Sequence, residues 1–193
     1  MYAPRTVKTL TALFFAMVLG TLVLWVMDVD PIRPAGTHLA AVAVAEDAPL
    51  AVIARTEKGF SSKWNSIVVH GSGEGRAVLE NCHFIVEPSG SEASPLGVRA
   101  GRAWLAQEES AHVPGAGREY YKGAIGVCIQ GDFSQAPPSD EQWKRLIKLV
   151  TDLQKQFRIQ PGRVYPYCSI AASDSPGAAF PVKLFNESLI EVR

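Results

Sequence analysis

Excess charge of either sign is what this chain lacks. Nineteen Lys and Arg are matched by nineteen Asp and Glu over 193 residues. No long-range field draws in phosphate backbones, which excludes nucleic-acid binding as a first reading. Cysteine is scarce as well: three residues and no Cys-x-x-Cys pair exclude a disulfide-dense mini-protein, a zinc ribbon and a thioredoxin-like redox site. With 20% charged and 47% hydrophobic residues, the chain is too apolar to be disordered. Its length allows one ordinary domain and an appendage.

Charge is missing altogether from Thr9 to Met27, nineteen residues of which fifteen are hydrophobic. As a helix the run spans about 28 Å, close to the hydrocarbon thickness of a bilayer. A cleavable signal peptide has a shorter apolar region ending at a small-x-small site. A site of that kind, Ala41-Val42-Ala43, lies well beyond the run, so an uncleaved anchor is favoured. Arg5 and Lys8 precede the span while Asp28 and Asp30 follow it, which keeps the N-terminus cytoplasmic. The expected organisation is residues 1–8 cytoplasmic, 9–27 transmembrane signal anchor, 28–59 tether and 60–193 globular domain. Either reading, anchor or secreted after cleavage, exports the domain. The tether carries Pro31, Pro34, Gly36 and an Ala/Val-rich stretch, Leu39–Ala45. A short strand is expected at Leu50–Ala54, and the alternative is that the second half of the tether packs into the domain.

Within the domain, Ser66–His70, Cys82–Glu87 and Ala124–Gln130 are short apolar runs bounded by Gly, Pro and Ser, as buried strands are. Arg163–Cys168 reads as a fourth strand. Ser139 and Gln142 form a capping box, with Gln142 reaching back to the cap. The helix it opens carries Trp143, Leu146, Ile147, Val150, Leu153 and Phe157 on one face. Phe180-Pro181 precedes a C-terminal helix. The expected fold is mixed α/β, a central mixed sheet flanked by helices. Of the four histidines, His70 stands out: it ends a strand and is followed by Gly-Ser-Gly-Glu-Gly. Its ring is expected to emerge at the C-terminal edge of the sheet, where ligand sites concentrate.

Six segments then carry a resemblance in the right order: Ile67–His70, Cys82–Val86, Ala111-His112, Ala124–Phe133, Pro138-Ser139 with Gln142, and Ser175–Gly177 with Phe180-Pro181. Together they resemble the zinc-dependent N-acetylmuramoyl-L-alanine amidases of the phage-lysozyme and peptidoglycan-recognition-protein type, over nearly all of Trp64–Pro181. The resemblance implies that family's fold, with a groove for the stem peptide. It also implies the family's reaction, cleavage of the amide between N-acetylmuramic acid and L-alanine. In the family two His and one Cys hold zinc and leave a fourth position for water. A Tyr, and in some members a Lys, assists.

Carried over residue by residue, the first His is His70. Tyr167 stands at the second His position and Ser175 at the Cys position. Cys82 takes the place of the assisting Tyr, and Ser173 that of the Lys. A neutral hydroxyl is a poor zinc donor beside thiolate or imidazole. No zinc cofactor and no family reaction are therefore expected, and His70 is the only surviving ligand. His70, His112, Tyr167 and Ser175 are the expected substrate-binding residues. Tyr167 and Ser175 either bond a peptide or fill the vacated metal pocket. Only eleven residues separate His70 from Cys82, too few for the helix that many members place there.

Cys82 and Cys168 both fall beside the former metal site. They are replacement ligands with His70, or a disulfide, or two free half-buried thiols. Cys128, in mid-strand, is read as core. His83 is expected to point inward and bond a backbone group, and Trp143 to be core. Tyr120 and Tyr121 are groove aromatics or surface loop. Three functions follow. One is a membrane-tethered domain without catalysis that binds peptidoglycan fragments or an envelope protein, for which non-catalytic recognition proteins of the family are the precedent. The others are an active amidase with a rebuilt metal site and a structural protein without a glycan ligand.

Overall fold

The computed structural model describes residues 17, 48–56, 59–60, 63–73, 79–88, 90–91, 96–109, 120 and 122–192. The expected anchor at 9–27 (apart from residue 17), the tether at 28–47, His38, His112 and Tyr121 lie outside the described residues. Among the described residues, no helix is long and apolar enough to cross a membrane.

The elements are α1 (Ala48–Ile53), β1 (Ser66–Gly71), β2 (Phe84–Val86), β3 (Val98–Ala100), α2 (Arg102–Ala106), β4 (Ala124–Ile129), α3 (Asp140–Phe157), β5 (Val164–Pro166) and α4 (Val182–Glu187). The strands form one sheet in the order β3-β2-β4-β1-β5. All neighbours are parallel except β2 and β3, which pair antiparallel. The expected mixed α/β architecture is therefore present.

Strand alternation divides the buried side chains between two faces. Ile67, Val69, Phe84, Val86, Ile125, Val127 and Ile129 face one way, into the main core. There they meet Leu146, Leu149, Val150 and Leu153 of α3, with Val52, Ile53 and Trp104. Val68, Ala124, Ile85 and Cys128 face the other way, in two smaller clusters with Tyr167 and Cys82. Helix α3 is the amphipathic element expected from its periodicity. Ser139 Oγ accepts from Gln142 N at 3.3 Å. The Gln142 side chain does not reach back, however: its amide donates to Gln130 O at 2.8 Å, tying the helix start to the end of β4.

Two further expectations change. Leu50–Ala54 is not a strand: Leu50 to Ile53 belong to α1, whose Val52 and Ile53 join the core. A short apolar run does not specify its own period, and here the buried carbonyl of Ile53, at the helix end, accepts from Trp104 Nε1 at 3.0 Å. The C-terminal end of the expected tether thus belongs to the packed domain. The fourth strand stops at Pro166, and a 3₁₀ turn, Tyr167–Ser169, follows. Between β1 and β2, Leu79 and Glu80 are helical. Finally, β3 and α2 carry no signal strong enough to read. They are three and five residues long.

Candidate functional site

The site lies at the C-terminal end of the parallel strands, on the sheet face opposite α3. His70 is the penultimate residue of β1 and the register partner of Cys128 in β4. Its ring does not emerge into solvent; the residue is 2% exposed. The Tyr167 ring lies against it, with centroids 4.6 Å apart and planes inclined by 36°. Tyr167 is itself buried and packs with Val68 and Ala124. Of the two expectations for this residue, filling the pocket is what its burial fits.

Ser175 completes the cluster through the backbone. Its Oγ accepts from Gly71 N at 2.9 Å. Its own N–H donates to Ser173 Oγ at 3.2 Å, and its carbonyl accepts from Cys168 N at 2.6 Å. This network holds the 173–177 loop against the end of β1. Gly71 is required there because a Cβ would collide with the carbonyl of Pro176. His70, distant in sequence from Tyr167 and Ser175, thus meets both where the strand order brings β1 beside β5.

The cysteines are arranged differently from every expected pairing. Cys82 and Cys128 form a disulfide with Cα atoms 5.9 Å apart, and Cys168 is the free thiol. The proposed Cys82–Cys168 bond and the His70, Cys82, Cys168 ligand set are both removed, because Cys82 has no thiolate to offer. The reason lies in the register. Cys128 shares the face of His70 and Ile85, so its side chain points at Cys82 rather than into the main core. Burial pushes the Cys168 thiol above its ordinary range, and the charge of Asp174 adds to this, partly offset by a backbone hydrogen bond. A neutral thiol is a poor ligand and nucleophile.

The donor set at the three converging positions is one imidazole, one phenol and one hydroxyl that already accepts a backbone hydrogen bond. Zinc sites use imidazole, thiolate and carboxylate, and this set does not fit the metal. Among the described residues, no group of three His, Cys, Asp or Glu could hold a metal ion.

The remaining candidates sort into packing roles. His83 is buried as expected: Gly126 N donates to its Nδ1 at 2.8 Å, and its Nε2 bonds Glu108 O at 2.9 Å. Tyr120 packs edge-on to Tyr165 of the edge strand, centroids 5.3 Å apart. Trp143 packs on Phe180 and Phe185, at the margin of the core. Sequence reasoning passed over Glu87, buried at the end of β2. Arg99 Nε donates to one of its oxygens at 3.0 Å and Ser91 Oγ to the other at 2.6 Å. With both oxygens engaged, it pins the β2–β3 connection. Its signal was a charged residue closing an apolar strand.

Comparison with known proteins agrees with this architecture. An endolysin N-acetylmuramoyl-L-alanine amidase, LysCS from Clostridium intestinale URNW, superposes with a TM-score of 0.51 at 19% identity, over 67% of this chain and 87% of that one. A selenomethionine derivative of AmpD superposes with a TM-score of 0.52 at 15% identity, over 67% and 87%. At such identities the likeness is one of fold. No curated protein sequence matches the chain. The N-acetylmuramoyl-L-alanine amidase family model matches residues 46–177, a span that contains the whole of the site. On that match, over more than half its length, the chain belongs to the N-acetylmuramoyl-L-alanine amidase family.

Proposed function

We propose that this chain is a membrane-anchored, extracytoplasmic member of the amidase family that binds muramyl peptide of the cell wall without hydrolysing it. The observation that carries the non-hydrolytic part is the Tyr167 ring packed on His70, with the Ser175 hydroxyl turned to Gly71 N. The positions at which the resemblance puts a second imidazole and a thiolate hold groups that neither bind zinc well nor lower the pKa of a water. The retained family scaffold supports peptidoglycan as the ligand. Export is supported by two independent features: the uncharged run Thr9–Met27 and the disulfide, a bond that persists in oxidising compartments. The expected topology is a single pass through the cytoplasmic membrane with the domain in the periplasm.

The test uses the full chain in detergent. It is expected to sediment with insoluble peptidoglycan and to release no L-alanine amino termini, with or without added zinc. Zinc-dependent release would overturn the non-hydrolytic reading. Failure to sediment would remove the glycan ligand and leave an envelope protein as partner. For the anchor, the chain is expected in the membrane fraction with its domain cleaved by protease only from the periplasmic side. Release of a shortened, soluble chain would replace the anchor by a cleaved signal.

A further inference from the structure

The disulfide lies in the wall of the same site. His70 and Cys128 are register partners on adjacent parallel strands and share a face, which sets them about 5 Å apart along the sheet. Cys82 belongs to the bend leading into β2. The neighbouring residue, His83, is bound to β4 through both its backbone and its ring: His83 N donates to Gly126 O at 2.9 Å, and Gly126 N donates to Nδ1. The segment that follows His70 in sequence returns to the sheet at this bend, where Leu79 packs on the Cys82, Ile85 and Cys128 cluster. On its β4 side the buried His70 is therefore flanked by a covalent bond. The opposite wall is closed by the Tyr167 stack and the bond from Gly71 N to Ser175 Oγ. No element of this arrangement calls for a metal.

We propose that the Cys82–Cys128 disulfide is a redox latch on this site: the cluster of His70, Tyr167 and Ser175 keeps its arrangement only while the bond is closed. The latch rests on the binding reading above only for the identity of the ligand. It opens by thiol–disulfide exchange. A dithiol such as dithiothreitol attacks one sulfur, the S–S bond breaks, and a mixed disulfide forms. The second thiol of the reagent then closes a ring, leaving two protein thiols and one cyclic disulfide, a two-electron transfer with two protons taken up. Both sulfurs belong to buried residues, so exchange waits on local opening. Once open, the bend carrying Cys82 loses its covalent tie to β4 beside His70 and is left to the weaker His83–Gly126 hydrogen bonds. The domain then works where the bond forms and stays closed, and a copy retained among reducing thiols is held in the loosened form.

The experiment compares the full chain in detergent, oxidised and dithiothreitol-reduced, with the double variant Cys82→Ala/Cys128→Ala and with Cys168→Ala. Two readouts follow the site itself: the imidazole proton signals of His70, assigned through His70→Gln, and the melting temperature. Opening the bond, whose ends are 46 residues apart, is expected to lower the melting temperature by about 10 °C. It is also expected to shift and broaden the His70 signals, in the reduced protein and the double variant alike. Cys168→Ala is expected to match the wild type, and a chelator to change neither readout. Unchanged His70 signals on reduction would overturn the latch, even if the melting temperature fell. So would one zinc per chain whose removal by chelator reproduces the loosening. Sedimentation with peptidoglycan is read separately. If the oxidised chain does not bind, the proposed ligand is wrong, while the His70 signals still decide the latch.

Discussion

The two faces of the central sheet are built from different materials. The face under α3 is aliphatic and aromatic: Ile67, Val69, Phe84, Val86, Ile125, Val127 and Ile129 meet Leu146, Leu149, Val150 and Leu153. Such a face is held by area and shape, spread over many side chains, and close variants of its residues serve nearly as well. The opposite face carries Val68, His70, Gly126, Cys128 and Ile85 in register across β1, β4 and β2. Among its links are specific ones: the Tyr167–His70 ring stack, the Cys82–Cys128 disulfide and the hydrogen bond from Gly71 N to Ser175. The first face makes the domain fold. The second brings together the positions to which the resemblance assigns the family's site, and each of these links depends on a particular chemical group.

That contrast can be broken from either side. The largest loss is expected at Leu149→Ala, where truncation of a fully buried α3 side chain costs about 2–5 kcal/mol. Chemical denaturation should record that loss while the Tyr167–His70 stack stays intact in whatever fraction remains folded. Tyr167→His with Ser175→Cys tests the chemistry of the other face. The pair restores the donors that the resemblance places there, and calorimetry with zinc is expected to find one site per chain where the wild type has none. Absence of binding would mean that the walls no longer converge at ligand distance.

Gly71→Ala drives a methyl group into the Pro176 carbonyl. It is expected to cost about 1–3 kcal/mol and to weaken peptidoglycan binding through displacement of the 173–177 loop. Ser175→Ala leaves Gly71 N–H without its acceptor, at about 1–2 kcal/mol, with the same loop as the structural readout. The smallest effect concerns Cys168. Because burial raises its pKa, alkylation of the native chain at pH 8 is expected to be slower than that of the unfolded chain. The rate should keep climbing beyond the pH at which an ordinary thiol has levelled off. A native rate equal to the unfolded one would place the thiol in solvent.

Much of the helix-covered face was legible in the linear chain, since its signals are repeated. Leu146, Val150 and Leu153 recur at helical spacing, and the runs around Ile67 and Ile125 are bounded by turn residues. His83 could be read as an inward residue from its place in an apolar strand, and its two backbone partners agree. The site was legible only in part. The convergence of His70, Tyr167 and Ser175 was expected from the resemblance, and the structure brings the three together. The cysteine pairing was not legible, because which of two sulfurs faces Cys82 depends on strand register. Alternation places Cys128 on the face of His70, while Cys168 lies in the turn after β5 beside Asp174. The helical turn at Leu50–Ala54 was missed for a related reason: five apolar residues carry no period of their own.

By itself, then, the sequence determined the elements with long or repeated signals, the neutral balance of charge, and the residue types available for chemistry. Those properties are local, and each follows from neighbours within a few positions. The tertiary structure alone decided which sulfurs are joined, which face of β1 and β4 the site occupies, and that the Tyr167 ring lies on His70. Such facts depend on the order β3-β2-β4-β1-β5 and its registers. A shift of one residue in a strand would turn every one of its side chains to the other face.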